Sequence, residues 1–348
     1  MKKLISLILF VFMLAGLCAC GTTAPAAPEA DAAPAAEEAA PAEEAVEEAA
    51  PAEEAAESFT VGVCQLVQHD ALDAATKGFV DVLTEEFGDA VTVDEQIAAG
   101  DIATCATICN GFVSAGVDLI LANATPALQS AVQATEDIPI LGTAVTEYGV
   151  ALEIADFDGT VGGNVSGTSD LAPLDAQAAM ITELFPDAAM VGILYCSAEA
   201  NSVYQSDVVK ACLEDAGVTV TVYTFADSND VASVTATACD ENDVLYIPTD
   251  NTAASCAESI ANVAEPAGVP IVAGEEGLCT GCGGIATLSI DYYDLGRTTG
   301  AMAVKILKGE ADISEMAIEY FPDPVKKFNP AAAELLGVEV PEDYVAIG

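Results

Sequence analysis

The chain has no tryptophan, one histidine (His69) and one arginine (Arg297), and its 56 aspartates and glutamates face only 9 basic residues. Each shortage excludes something. With a single histidine, a Ser-His-Asp arrangement could use only His69, and no GxSxG elbow accompanies it. HExxH and GxxxxGK[ST] are absent as well. Gly281, Gly283 and Ala286 have GxGxxA spacing, but they precede a strand pattern instead of opening a helix after one, so no dinucleotide site is expected. An enzyme is therefore a weak reading, no cofactor is implied, and His69 reads as a polar rim residue. The scarcity of bases argues against nucleic acid, whose phosphates this chain would repel. It also disfavours a strongly anionic ligand.

Long apolar runs are scarce too. Lys2 and Lys3 precede an apolar run from Leu4 to Leu17, which has the length of a signal-peptide core and is shorter than a membrane span. It ends at Leu17-Cys18-Ala19-Cys20, which resembles the lipobox of bacterial lipoproteins. The resemblance implies cleavage before Cys20 and lipid on its sulfur, with residues 1–20 as the signal segment. No later run reaches the roughly 18 apolar residues of a spanning helix. The expected location is the outer face of the cell membrane, held by lipid alone.

Residues 21–58 are a different material, dominated by Ala, Pro and Glu. Residues 21–57 hold eleven acids, no base and no aromatic, with prolines at 25, 28, 34, 41 and 51. So little apolar surface cannot offset ordering entropy, and the prolines interrupt any Ala/Glu helix. A solvated tether is expected. Removing these eleven acids and the two leading lysines from the totals leaves 45 acids against 7 bases in the remaining domain. Its roughly 290 residues suit two cores better than one. Nine cysteines fall in it, at 64, 105, 109, 196, 212, 239, 256, 279 and 282, an odd number that leaves at least one unpaired within the chain. Cys64 and Cys196 lie in or beside strand patterns and read as small hydrophobes. Cys279 and Cys282 form a CxxC that could close a disulfide, but a tetrahedral metal would need two further ligands, and no metal site is expected.

The pattern of the domain alternates short β-type runs with helical spacing, which predicts α/β architecture with parallel sheets. Val61-Gly62-Val63-Cys64 is a strand, followed by Leu72, Ala75, Phe79, Val82 and Leu83 at helical spacing. Residues 119–122 and 138–142 are further strands. The order then repeats: Val191-Gly192-Ile193 resembles Val61-Gly62-Val63, Asp243-Val244-Leu245 resembles Asp118-Leu119-Ile120, and Val269-Pro270-Ile271 resembles Ile138-Pro139-Ile140, at offsets of 130, 125 and 131. Near-constant offsets predict two similar doubly wound α/β lobes. The late strand 285–290 and the helix after it lie beyond the second repeat, so the chain can cross back and make a multi-strand hinge. The expected division is 59–165 plus about 291–322 for one lobe, and 166–290 plus about 323–348 for the other.

In open α/β sheets ligands bind beyond the carboxyl ends of the strands. Those positions hold Gln65, His69, Asn123, Thr125, Thr143 and Thr146 in the first half. In the second they hold Ser197, Asn201, Ser202, Thr249, Asp250, Asn251 and Glu275, with Asp291 after the late strand. Such residues also cap helices and make turns. As a set they point to a cleft for a zwitterion. Helix N-termini and hydroxyls can hold an α-carboxylate without arginine. An α-ammonium needs a carboxylate, with Asp250 leading and Glu275 and Asp291 as alternatives.

Segments 63–73 (Val63-Cys64-Gln65 through Asp73), Ser197-Ala198-Glu199-Ala200-Asn201-Ser202, Pro248-Thr249-Asp250-Asn251-Thr252 and 290–296 (Ile290-Asp291-Tyr292 through Gly296) resemble the ABC-transporter substrate-binding family that includes tryptophan- and tyrosine-binding proteins. The resemblance spans residue 59 to about 319. It implies a type I periplasmic-binding fold, a lipoprotein, no catalysis, and a permease with its ATPase as partners. An amino acid, aromatic or apolar, is the favoured ligand. A sugar or nucleoside on the same fold is the alternative, although the rim offers few stacking aromatics beyond Tyr148, Tyr195 and Tyr204. Cys279 and Cys282 depart from the family pattern.

Overall fold

The computed structural model describes residues 58–321 and 323–348. The sequence-predicted signal segment, the tether and Cys20 lie outside the described residues. In chain order the first elements are β1 (Phe59–Gln65), α1 (Asp70–Phe87), β2 (Val91–Ile97), α2 (Ile102–Ala115), β3 (Leu119–Asn123), α3 (Thr125–Ala134), β4 (Ile140–Val145), the single-turn α4 (Tyr148–Ala151) and β5 (Val165–Ser169). Next come α5 (Leu174–Leu184), β6 (Met190–Cys196), α6 (Ala200–Asp215), β7 (Thr219–Phe225), α7 (Val231–Glu241), β8 (Val244–Ile247), α8 (Asn251–Ser255), α9 (Ala257–Ala267), β9 (Ile271–Ala273), α10 (Glu276–Gly281) and β10 (Ala286–Ser289). The chain closes with α11 (Tyr292–Leu307), β11 (Glu319–Tyr320), β12 (Val325–Phe328), α12 (Pro330–Leu336) and β13 (Val345–Ala346).

Two sheets result, ordered β11-β5-β4-β3-β1-β2 and β13-β12-β10-β9-β8-β6-β7. The five strands β1 to β5 and the five strands β6 to β10 occupy matching places, and all neighbours among them run parallel. The repeated segments of the sequence are thus equivalent strands of two similar doubly wound α/β lobes. Each sheet is buried on both faces. Val61 and Val63 pack with Phe79, Leu83 and Met302 on one side of the first sheet, while Cys64 packs with Cys105, Cys109 and Phe112 on the other. That two-sided burial is why β1, β3 and β8 read as nearly continuous apolar runs.

The chain passes between the sheets three times: from β5 to α5, from β10 to α11, and from β11 to β12. At the second passage α11 returns to lie against α1. A Cβ placed on Gly296 would fall inside van der Waals contact of the Ala75 carbonyl oxygen, and one on Gly78 would do the same to the Tyr293 carbonyl oxygen. The glycines let the helix backbones touch, and this fixes the start of α11, with Asp291 and Tyr292, at the seam between the lobes.

All nine described cysteines are free thiols. Cys279 and Cys282 are fully buried, and the Cys282 thiol donates to the Cys279 carbonyl oxygen at 3.8 Å. Among the described residues no helix is long and apolar enough to cross a membrane.

Candidate functional site

On the first lobe the ends of β3, β4 and β5 lie side by side. The backbone is left-handed just after β3, at Ala124 (φ 98°), and near the end of β4, at Ala144 (φ 50°), where the pairing with β5 shifts register. Such angles in non-glycine residues cost roughly 1–3 kcal/mol each and cluster where ligands are held. Asn123 donates from Nδ2 to the Leu72 carbonyl at 2.8 Å and to Thr76 Oγ1 at 2.8 Å. Because the carbonyl only accepts, the amide orientation is fixed and Oδ1 is left buried without a partner. Thr125 Oγ1, at the start of α3, is likewise buried and unpartnered.

Other rim residues predicted from sequence turn inward. Gln65 is consumed by Val67, Asp73 and Thr76. Thr143 sits in a hydroxyl cluster with Thr168 and Thr299 beneath α11. Thr146 is buried, and its carbonyl oxygen accepts from Ser169 Oγ at 2.8 Å.

The second lobe's rim is organised by Glu199, a buried carboxylate that sequence reasoning left out of the site. It accepts from Asn251 N (3.1 Å), Asn251 Nδ2 (2.7 Å), Thr252 N (2.8 Å), Thr252 Oγ1 (2.7 Å) and Asn201 Nδ2 (3.2 Å). Asp250 caps α8. Its Oδ1 takes Ala253 N at 2.7 Å, and its Oδ2 takes Cys196 N and Ser202 Oγ, both at 2.7 Å. Burial, with Glu199 nearby, pushes the Asp250 carboxyl up to about 8. Asn201 gives Nδ2 to the Thr249 carbonyl at 3.0 Å, so its buried Oδ1 is the orphan. Ser197 is exposed and turned to the Phe225 carbonyl. Glu275 caps α10 with both oxygens on backbone N–H groups, those of Gly277 and Leu278, and burial raises it to about 7. Asp291 is exposed and caps α11 through Asp294 N.

The lobes meet directly where His69 Nε2 lies 3.2 Å from Asn251 Oδ1. Asn251 Nδ2 is committed to Glu199, so Oδ1 is the acceptor and His69 carries its proton on Nε2, leaving Nδ1 buried and bare. Burial holds this imidazole below its usual pKa. Grooves of about 380 and 470 Å3 open along the seam, each lined from both lobes.

At the first passage between lobes stands Asp170, which sequence reasoning also omitted. Its Oδ2 accepts from Tyr292 Oη at 3.0 Å, and its Oδ1 is buried with no partner. Burial raises its pKa above the ordinary carboxylate range. The Asp170–Tyr292 hydrogen bond thus ties the first passage between the lobes to the second. Asn123, Thr125, Asp170 and Asn201 each carry a buried oxygen without a partner. Among the described residues no cluster of His, Cys, Asp and Glu is arranged to hold a metal ion.

Residues 60–347 match the family model described as ABC transporter substrate binding protein. The tyrosine-binding protein of Clostridioides difficile strain R20291 is 37% identical over 254 residues, covering 72% of this chain and 73% of that one. The crystal structure of an ABC domain from Streptococcus pneumonia in complex with L-Trp is 34% identical and superposes with a TM-score of 0.78, covering 82% of this chain and 96% of that one. A ligand-free, open substrate-binding protein from Clostridium difficile, 36% identical and covering 83% and 99%, superposes at only 0.62. At nearly equal identity, the present arrangement is nearer to the ligand-bound relative. The chain belongs to the ABC transporter substrate-binding protein family.

Proposed function

We propose that this protein captures an aromatic or other apolar amino acid between its lobes and delivers it to a membrane permease driven by an ATPase. One observation supports the reading above the others. Four buried polar oxygens, on Asn123 and Thr125 at a strand end of the first lobe, Asp170 on the passage between lobes and Asn201 on the second lobe, have no partners, although buried polar groups ordinarily find them. A polar ligand would satisfy them. The carboxylate end suits Thr125 Oγ1 at the N-terminal end of α3, where helix N–H groups favour an anion. No arginine is available for it, since Arg297 is engaged with Glu85 at 2.8 Å. The relatives' ligands, tyrosine and L-Trp, agree in class. Family members of this kind work outside the cytoplasmic membrane, and in this reading lipid on Cys20 holds the protein there.

L-tryptophan provides the test, because the protein contains none and adds no indole emission of its own. Titration should give a saturable change in ligand fluorescence that L-tyrosine competes away. A thermal-shift series with amino acids, sugars and nucleosides should raise the melting temperature with amino acids alone. Stabilisation by a sugar or nucleoside, with no response to any amino acid, would replace this reading.

A further inference from the structure

The carboxylates at the seam differ in what their oxygens already do. Glu199 accepts five hydrogen bonds from its own lobe. Asp250 accepts three, and both Glu275 oxygens hold backbone N–H groups of α10. Asp291 is exposed to water, which solvates it at no cost. Asp170 alone among these is sealed from solvent with a whole oxygen unused: Oδ2 takes the Tyr292 hydroxyl and Oδ1 takes nothing. A buried carboxylate left half-satisfied is unfavourable, and a cation brought to Oδ1 removes the penalty. The protein's own cations are taken by other acids: Lys77, Lys210, Arg297, Lys308 and Lys326 pair with surface carboxylates, and Lys327, which lines a groove with Tyr292, pairs with Glu276.

We propose that Asp170 is the residue that receives the ligand's α-ammonium group, with Tyr292 as the positioning residue that holds the carboxylate through Oδ2. The assignment rests on the amino-acid reading above. It follows from placement as well as from occupancy. Asp170 stands on the passage between β5 and α5, and Tyr292 opens α11 on the second passage. An ammonium drawn to this pair sits against the hinge. Asn201 Oδ1, on the second lobe, is a further bare buried acceptor and offers one more of the three acceptors an ammonium can use.

The experiment measures two ligands on each variant: L-tryptophan and indole-3-propionate, which lacks only the amine. The unaltered protein should strongly prefer L-tryptophan. Asp170→Asn keeps the shape and removes the charge, and it should weaken L-tryptophan by about 10- to 150-fold while leaving the amine-free analogue within a few-fold. Tyr292→Phe, which keeps the ring, should erode the same preference by a smaller factor, and it serves if Asp170→Asn does not fold. If the unaltered protein binds L-tryptophan and both variants bind it equally tightly, or if Asp250→Asn abolishes the preference instead, the assignment to Asp170 is wrong while the amino-acid reading stands. If the unaltered protein binds no amino acid, the reading beneath it fails.

Discussion

Asp250 and Glu275 cap short helices inside the protein, and burial lifts their carboxyl groups to about 8 and about 7. The sign of the consequence follows from linkage. An acid whose pKa is higher folded than unfolded adds stability that is complete below the unfolded value, near 4, and is lost as pH rises through the folded value. The domain should therefore be more stable to urea at pH 6 than at pH 9. Surface carboxylates held low by partners, Asp81, Glu85 and Asp343, stay ionised over that window and do not oppose the trend. Asp250→Asn should flatten it, and an undiminished pH slope in that variant would contradict the assignment. Asp170 gives a separate signature. Its raised pKa means that affinity for an amine should fall on acidification from a pH above the usual carboxylate range, and binding should release a proton there. Calorimetry in buffers of different ionisation enthalpy reads that proton. Glu199 makes a structural prediction: Glu199→Gln replaces acceptor lone pairs with an NH2 facing donors, and should cost about 1–3 kcal/mol in urea unfolding.

At the scale of elements, the crossing of α1 and α11 sets the position of Tyr292. Gly296→Ala should push the helices apart and lower stability by about 1–3 kcal/mol, the usual cost of overpacking, with a lower urea midpoint. The helical spacing of α11 is legible in Leu295, Thr299, Met302 and Ile306, but nothing local marks Gly296 as a contact with a helix more than 200 residues earlier. The strands divide in the same way. β1, β3, β4 and β8 are visible because both faces of each sheet are covered, which leaves apolar runs. β5 is Val-Ser-Gly-Thr-Ser, small and mostly polar, and its hydroxyls bond to neighbours: Ser166 to the Met316 carbonyl and Thr168 to Thr299. No apolar signal announces it, and so Asp170, one residue beyond its end, escapes notice. The rule that ligands lie past strand ends selects Asn123, Thr125 and Asn201, each of which has a buried oxygen without a partner. It also selects Gln65 and Asp250, whose polar atoms are occupied within their own lobes. Residue type at a strand end does not say which lone pairs are free; only the folded arrangement does.

For the whole molecule, two lobes are joined by three chain passages, an arrangement that allows them to close on a ligand. The direct side-chain bridge between the lobe faces, His69 to Asn251, is one hydrogen bond worth about 0.5–1.5 kcal/mol. The domain's 45 acids against 7 bases repel one another and work against compaction. With so weak a bridge, closure should depend on ligand contacts, as population shift requires. Small-angle scattering of the protein without and with saturating L-tryptophan tests this most directly. The account predicts a smaller radius of gyration with L-tryptophan, and no change with indole-3-propionate at the same concentration. Superimposable curves with and without saturating L-tryptophan would contradict it.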